Sequence, residues 1–367
     1  SFNTGKVKSM NQMFSHCSKI KSITFGKNFK TNEVTDMSNM FSFCEILESI
    51  DISNFITNKV RNMSRMFSSC EKVSSLNIIN FNTINVKDMS YMFHYASKIL
   101  ELNVTKFDTS LVTNMAHMFS FITIKNFDVR NFNTKNVQNM EGMFQLCTNV
   151  ESYDLSSFDT TNVENMKEMF SYNLNLEILN LSNFNTNKVK TMANMFQYCQ
   201  KLNNLDISNF NIENVLDMSY MFTNCYTLPE INLLNFDSSK VTNLYKMFLN
   251  CSELKSLDLI NFKANSVISL ESMFESCKKI TSIDISNLRP TKAKIMSKMF
   301  LGCENLKDLK IFNFSSVENV ENLSEMFSGC KKIEQLEFIR FKVDKVTTME
   351  KMFYDMTNLV SIFFDVY

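Results

Sequence analysis

Ten cysteines recur along the chain, at Cys17, Cys44, Cys70, Cys147, Cys199, Cys225, Cys251, Cys277, Cys303 and Cys330, each three residues after the Phe of a Met-Phe pair. Spacing this regular raises the prospect of a disulfide framework or a metal site. Four further Met-Phe pairs carry Ala96, Ile122, Asn173 and Met356 at the same place. A position that accepts Ala, Ile and Met is an inward packing site, where free Cys behaves as a small hydrophobe. Buried free thiols are therefore expected, with disulfides between adjacent repeats as the rival, and those would need Cα atoms within about 7 Å. No Cys-x-x-Cys occurs, which argues against zinc. There is also no Gly-x-Gly-x-x-Gly, phosphate loop or nucleophile elbow. The reading is of a non-enzymatic chain with no catalytic residue, no cofactor and no resident metal.

A second column is acidic. One position per repeat reads Thr24, Asp51, Asn77, Asn103, Asp128, Asp154, Asn180, Asp206, Asn232, Asp258, Asp284, Lys310, Glu337 and Phe363. In strands about 4.8 Å apart such side chains stack in one row, and interleaved Asn relieves the repulsion of unbroken Asp. The plain expectation is a solubility and register device. The functional expectation is a strip that accepts a cationic peptide or Ca²⁺, strongest at Asp128 with Asp154 and at Asp258 with Asp284. Two residues further on, the later repeats carry Leu234, Ile260, Phe312 and Ile339, interrupted by Ser286. If exposed, these form an apolar strip for a protein contact.

The elements that position these columns follow from a period. The Phe of Met-Phe stands at 14, 41, 67, 93, 119, 144, 170, 196, 222, 248, 274, 300, 327 and 353, a spacing of 26 with 27 twice and 25 once. Fourteen such units mark a solenoid, in which no unit buries its own apolar face and each must stack on its neighbours. In one unit Val60, Met63, Met66-Phe67 and Cys70 place apolar residues at steps of three, three, one and three, which predicts a short helix, α or 3₁₀. Ser75 to Ile79 then alternates as a strand. Asn and Thr segments such as Asn82 to Asn85 reverse the chain by side-chain hydrogen bonds. His16, His94 and His117 fall outside the apolar stripe and read as exposed, solitary histidines. The unit from Phe119, with Phe121 to Ile124 in place of the Cys segment, is expected to be irregular.

The repeat accounts for a composition of 35 Phe, 26 Met, no Trp, 5 Gly and 2 Pro. A second Phe column runs from Phe2 through Phe29, Phe55 and Phe81 to Phe314 and Phe341, with Leu288 once. Met and Phe are core ladders, not a cofactor box. Lys plus Arg equals Asp plus Glu at 38 each, which gives no source of affinity for nucleic acid as a whole. No apolar stretch is long enough to span a membrane.

The segment Leu202-x-x-Leu205-Asp206-Ile207-Ser208-Asn209-Phe210 resembles the strand signature of leucine-rich repeats. The unit Asn214-Val215-x-x-Met218-Ser219-x-Met221-Phe222-x-x-Cys225-x-x-Leu228 more closely resembles the bacterial surface protein repeat of 26 residues, found in BspA-like and mycoplasma lipoproteins. That resemblance spans all 14 units and implies an α/β, leucine-rich-repeat-like solenoid displayed outside a cell, with no assigned catalytic residues.

The expectation is thus a single solenoid over 1–367, each repeat a short strand plus a short helix, beginning within a repeat and part of a longer chain. Its function is expected to be adhesion or binding of a protein or cell-surface ligand through the sheet face. The competing function is a structural subunit, extracellular or in a cytoplasmic assembly, that forms a homo-oligomer or filament through uncapped ends.

Overall fold

The computed structural model describes residues 3–126, 128–313, 317–341 and 343–365. Phe2 and Phe314 of the second Phe column, and the last two residues of the expected terminal strand, lie outside the described residues. The chain divides into two compact units, Ser1–Leu176 and Glu177–Tyr367, and each holds seven of the Met-Phe pairs.

Each unit is a stack of parallel rungs. In the first, strand β1 (Ser22–Ile23) pairs in parallel with β2 (Ser49–Ile50), and β3 is Ser152–Tyr153. The second unit contains β4 (Ile178–Leu179), β5 (Glu230–Ile231), β6 (Ser256–Leu257), β7 (Ser282–Asp284), β8 (Asp308–Lys310), β9 (Gln335–Phe338) and β10 (Ser361–Phe364). There β5 pairs with β6, β7 with β8 and β9 with β10, all in parallel and in register from one repeat to the next. A second ladder of bridges follows the residue that opens the Met-Phe segment, from Ser9 through Asp36, Asn62, Asp88, Asn114 and Asn139 to Asn165 in the first unit. These side chains also accept the amide two residues on, as Asp36 accepts from Ser38 at 2.9 Å and Asn62 from Ser64 at 2.9 Å. Asx turns of this kind set the chain into its next bend.

The expected short helix is not formed: no helix occurs among the described residues. From Met63 to Cys70 the backbone divides its donors between two uses. Met63, Arg65, Phe67 and Ser69 donate to Asp88, Ser90, Met92 and His94 of the next repeat, while Met66, Ser68 and Cys70 donate three residues back. Arg65 and Ser69 have φ of 57°, the left-handed value that the third residue of a type II turn requires. Every repeat has this pair of positions, from Gln12 and His16 to Lys351 and Asp355. An α-helix cannot contain a left-handed residue every fourth position, so the segment becomes successive turns that are hydrogen-bonded to their neighbours. This also answers how a chain with five Gly bends so often. Gly142, Gly302 and Gly329 occupy these positions, and elsewhere non-Gly residues accept a cost of about 1–2 kcal/mol each. The inter-repeat hydrogen bond donated by the same residue offsets that cost.

Met and Phe fill the interior as expected. The Phe rings stack at 5.6 Å from Phe14 to Phe41 and from Phe41 to Phe67, and in the second unit at 5.6 Å from Phe196 to Phe222 and 5.4 Å from Phe274 to Phe300. Buried Thr residues brace the far corner: Thr57 Oγ1 donates to the Asn82 carbonyl at 2.9 Å and accepts the Asn82 amide at 2.7 Å. The repeat at Phe119 keeps its place in the ladder, 5.9 Å from Phe93 and 6.0 Å from Phe144, with Ile122 and Ile124 both buried. Losing one residue there shortens the connection and leaves the core columns intact.

Candidate functional site: the outward face of the strands

All ten thiols are free and only Cys17 is not fully buried. Each of eight donates its S–H to the Phe carbonyl of the preceding repeat, as Cys70 does to Phe41 at 3.2 Å and Cys251 to Phe222 at 3.2 Å. Burial raises the Cys147, Cys225, Cys277 and Cys330 thiols to about 12. Thiols so far from ionisation are poor nucleophiles at neutral pH. The column is structural, and its Asn173 member supports this: the amide donates to the Phe144 carbonyl at 2.8 Å in place of the thiol and accepts the Tyr153 hydroxyl at 2.7 Å.

Two of the histidines depart from expectation, His94 and His117, while His16 is exposed. His117 is only 8% exposed and its ring lies 6.0 Å from that of His94 and stacks at 4.7 Å on Tyr91, which in turn carries the Arg65 guanidinium at 4.0 Å. Gly142 in the next repeat makes this possible: a Cβ there would lie 2.2 Å from the ring, so its absence leaves the space that His117 fills. His94 Nδ1 bonds Ser120 Oγ, and His117 Nδ1 is buried without a partner. Burial, then the neighbouring His117 and Arg65, lowers His94 to about 4, and burial likewise lowers His117 against the pull of Glu141 and Glu168.

The acidic column does face outward, but its carboxylates already have work in the fold. Asp154 accepts the Ser156 hydroxyl at 2.7 Å and amide at 3.2 Å, Asp206 the Ser208 amide at 2.9 Å, and Asp258 the Ile260 amide at 3.0 Å. Asp284 accepts the Ser286 hydroxyl at 2.6 Å and pairs with Lys310 at 3.2 Å. Asp128 is held by Arg130, with Nε at 2.9 Å and a terminal nitrogen at 2.7 Å, and falls to about 2. Arg130 also helps to lower Asp154, after the Ser156 hydrogen bonds. Asp128 and Asp154 therefore share a cation supplied by the chain itself. Among the described residues no three His, Cys, Asp or Glu side chains converge to hold a metal ion.

In the second unit the outward face forms a groove. One segment, of about 740 Å³, lies over Asp206, Glu230, Leu234 and Asp258; the next, of about 450 Å³, lies over Asp258, Ile260, Asp284, Asp308 and Lys310. Leu234 and Ile260 are 45% and 61% exposed and rise from its floor, and Ile339, 48% exposed, stands in a later turn. Phe312 is the exception. It is 1% exposed and belongs to the core, although the spacing from Phe300 to Lys310 is the common one. The place that other repeats fill with a buried Ile, Leu or Val is here Ile311, which is part-exposed, so Phe312 has exchanged faces with it, and a large aromatic gains most by the inward choice. Glu230 and Asp308 complete the groove and escaped the reading of single columns. The alternation of the strand held the signal, because the residue before each inward Ile or Leu points the same way as the residue after it.

Fold and groove define the class: a leucine-rich-repeat-like β-solenoid of BspA-like repeats with its variable residues on the strand face. The chain belongs to the family described as Mycoplasma protein of unknown function, DUF285, matched over residues 1–101, 69–175, 147–232, 229–323 and 316–363. Among solved structures it is similar to a leucine-rich repeat protein from Bacteroides ovatus (18% identity, 98% of this chain and 88% of that one, TM-score 0.47). It is also similar to a leucine rich cell surface protein from Faecalibacterium prausnitzii (17%, 96% and 75%, TM-score 0.43). A third similar structure is a leucine-rich repeat protein from Eubacterium ventriosum (15%, 92% and 82%, TM-score 0.42). No curated protein matches the chain. Among the described residues no helix is long and apolar enough to cross a membrane.

Proposed function

We propose that this chain is a non-enzymatic binding module, displayed at a cell surface as BspA-like repeats are, that captures an extended cationic segment of a protein partner on the strand face of residues 177–367. The observation that carries this reading is the groove itself. Five carboxylates, those of Asp206, Glu230, Asp258, Asp284 and Asp308, flank the exposed Leu234 and Ile260, with Lys310 as the one cation among them. Apolar anchors ringed by one sign of charge give both contact area and selection for the opposite charge. The Asx turns fix the carboxylates before any ligand arrives, which limits the ordering cost of binding.

A fluorescent peptide of alternating lysine and leucine residues is the probe. Binding to the full chain is expected in low salt, to weaken with salt as screening shortens the range of the carboxylates, and to be lost in Leu234→Asp/Ile260→Asp at unchanged melting temperature. Equal binding by that variant and the parent chain removes the reading. Calcium is expected to leave the melting temperature unchanged, because the carboxylates are spread along the groove and engaged in turns. A calcium-dependent rise would favour an ion site on the same face instead.

A further inference from the structure

The balance of charge in the whole chain conceals a local segregation. Along the start of the strands in the second unit, four successive repeats present Lys255, Lys279, Lys307 and Lys332, one per repeat. They occupy two neighbouring columns in alternation, so their ammonium groups form a zigzag that advances by one repeat step, about 4.8 Å, at a time. Between them lies a depression of about 670 Å³ in which Thr281, Asn305 and Asp308 are the other polar members. All four lysines are exposed. Lys279 pairs with Glu253 at 2.7 Å, whereas Lys255, Lys307 and Lys332 have no ion-pair partner among the described residues. Most lysines whose ion pairs join adjacent repeats are neutralised in place, as Lys59 is by Glu33 and Lys294 by Glu321. Here three of the four lysines lack an acidic partner, so positive charge exceeds negative along the depression even with Asp308 at its border.

We infer that this depression is a second binding site, distinct from the acidic groove, and that it takes a sulfated polysaccharide. An extended chain with anionic groups at short, regular intervals matches a row of ammonium groups at the rise of the solenoid. The amide of Asn305 is anchored through Nδ2 to the Lys278 carbonyl at 2.9 Å, which leaves its oxygen to accept from a sugar hydroxyl, and Thr281 stands exposed beside it. Single-stranded nucleic acid fits less well, because it needs aromatic platforms for its bases and the depression has none, nor any Arg for bidentate phosphate contact. The site borders the acidic groove at Asp308, so ligands of opposite charge would lie side by side on one unit.

The test is titration of the full chain with a size-defined heparin oligosaccharide at low and high salt, with single-stranded RNA of equal charge as comparator. Heparin is expected to bind in a salt-sensitive manner and more tightly than the RNA. Lys255→Gln/Lys307→Gln is expected to weaken it about tenfold or more, while Lys87→Gln/Lys98→Gln, the same charge change elsewhere, leaves it unaltered. Melting curves of both variants should overlay the parent, and Lys279→Gln/Lys332→Gln serves if the first pair does not fold. The inference is overturned if heparin does not bind, if the RNA binds better, or if the two double variants lose affinity equally. Leu234→Asp/Ile260→Asp is expected to keep heparin binding, so failure of the groove and failure of this site are told apart.

Discussion

At the scale of single residues, most departures from the repeat come in pairs that satisfy each other. Tyr153 stands where most repeats have Ile or Leu, and its hydroxyl reaches the Asn173 that replaces Cys. Asn173→Ala removes the amide's bonds to that hydroxyl and to the Phe144 carbonyl, and a loss of about 1–3 kcal/mol is expected in urea unfolding. His117 and Gly142 form a second pair. A Cβ on Gly142 would lie 2.2 Å from His117 Cε1, at a residue with φ of 54°. Gly142→Ala should therefore destabilise strongly, and His117→Ala in the same chain should recover most of the loss beyond the backbone strain. The histidine pair also sets a pH dependence. Both folded-state pKa values lie below the unfolded value near 6.5, so their contribution is complete above that pH and declines as pH falls from there toward about 4. Around His117 the pull of Glu141, Glu168 and Gln145 is partly offset by Lys167, and Arg65 and His117 both act to lower His94. Urea midpoints at pH 7.5 and 5 are expected to differ, with the difference reduced in His94→Gln/His117→Gln.

At the scale of elements, the strand was legible and the helix was not. Leu205 and Ile207, both buried, flank the exposed Asp206, as alternation predicts. The Met-Phe segment misled because apolar residues three apart suit both a helical stripe and stacked type II turns. What distinguishes them is the residue before each Met-Phe and the second residue after it, where three of the five Gly fall at 142, 302 and 329. Read column by column, Gly at those positions marks a left-handed backbone even where the other repeats carry Lys, Tyr or Asn. Glu325→Gly is thus expected to gain up to about 1 kcal/mol and Glu325→Val to lose stability, the reverse of the order a helix would give. The strand-face site was legible in part: Asp206, Asp258, Asp284, Leu234 and Ile260 share one groove, while Phe312 turned inward in exchange with Ile311, since both are apolar and the sequence does not say which of the two takes the inward place.

At the scale of the whole molecule, the period of 26 is the quantity that the packing enforces. Since each rung contacts its neighbours through the same ladders, stability is close to a sum over repeats and interfaces. Removing residues 232–257 joins Ile231 to Asp258 in phase and should leave one cooperative melt, with the Phe222 ring meeting that of Phe274. Removing half that length would bring polar turn residues into the Phe column and should abolish the transition. The overall charge of zero hid what matters for binding, because opposite signs are sorted onto the strand face and its edge in the second unit. Sorting of that sort is visible only when residues are placed in columns, since neighbours in space lie 26 apart in sequence.

The thiol column carries one more implication. Cysteines in ten of the fourteen repeats, nine of them masked by packing and eight by a bond to a carbonyl as well, form a set of internal clocks for local opening. An alkylating reagent should modify half-buried Cys17 first, and each other thiol only as often as its own rung separates from the one before it. Mass spectrometry of partially labelled chains would then give an opening free energy rung by rung, across a protein in which no probe needs to be introduced.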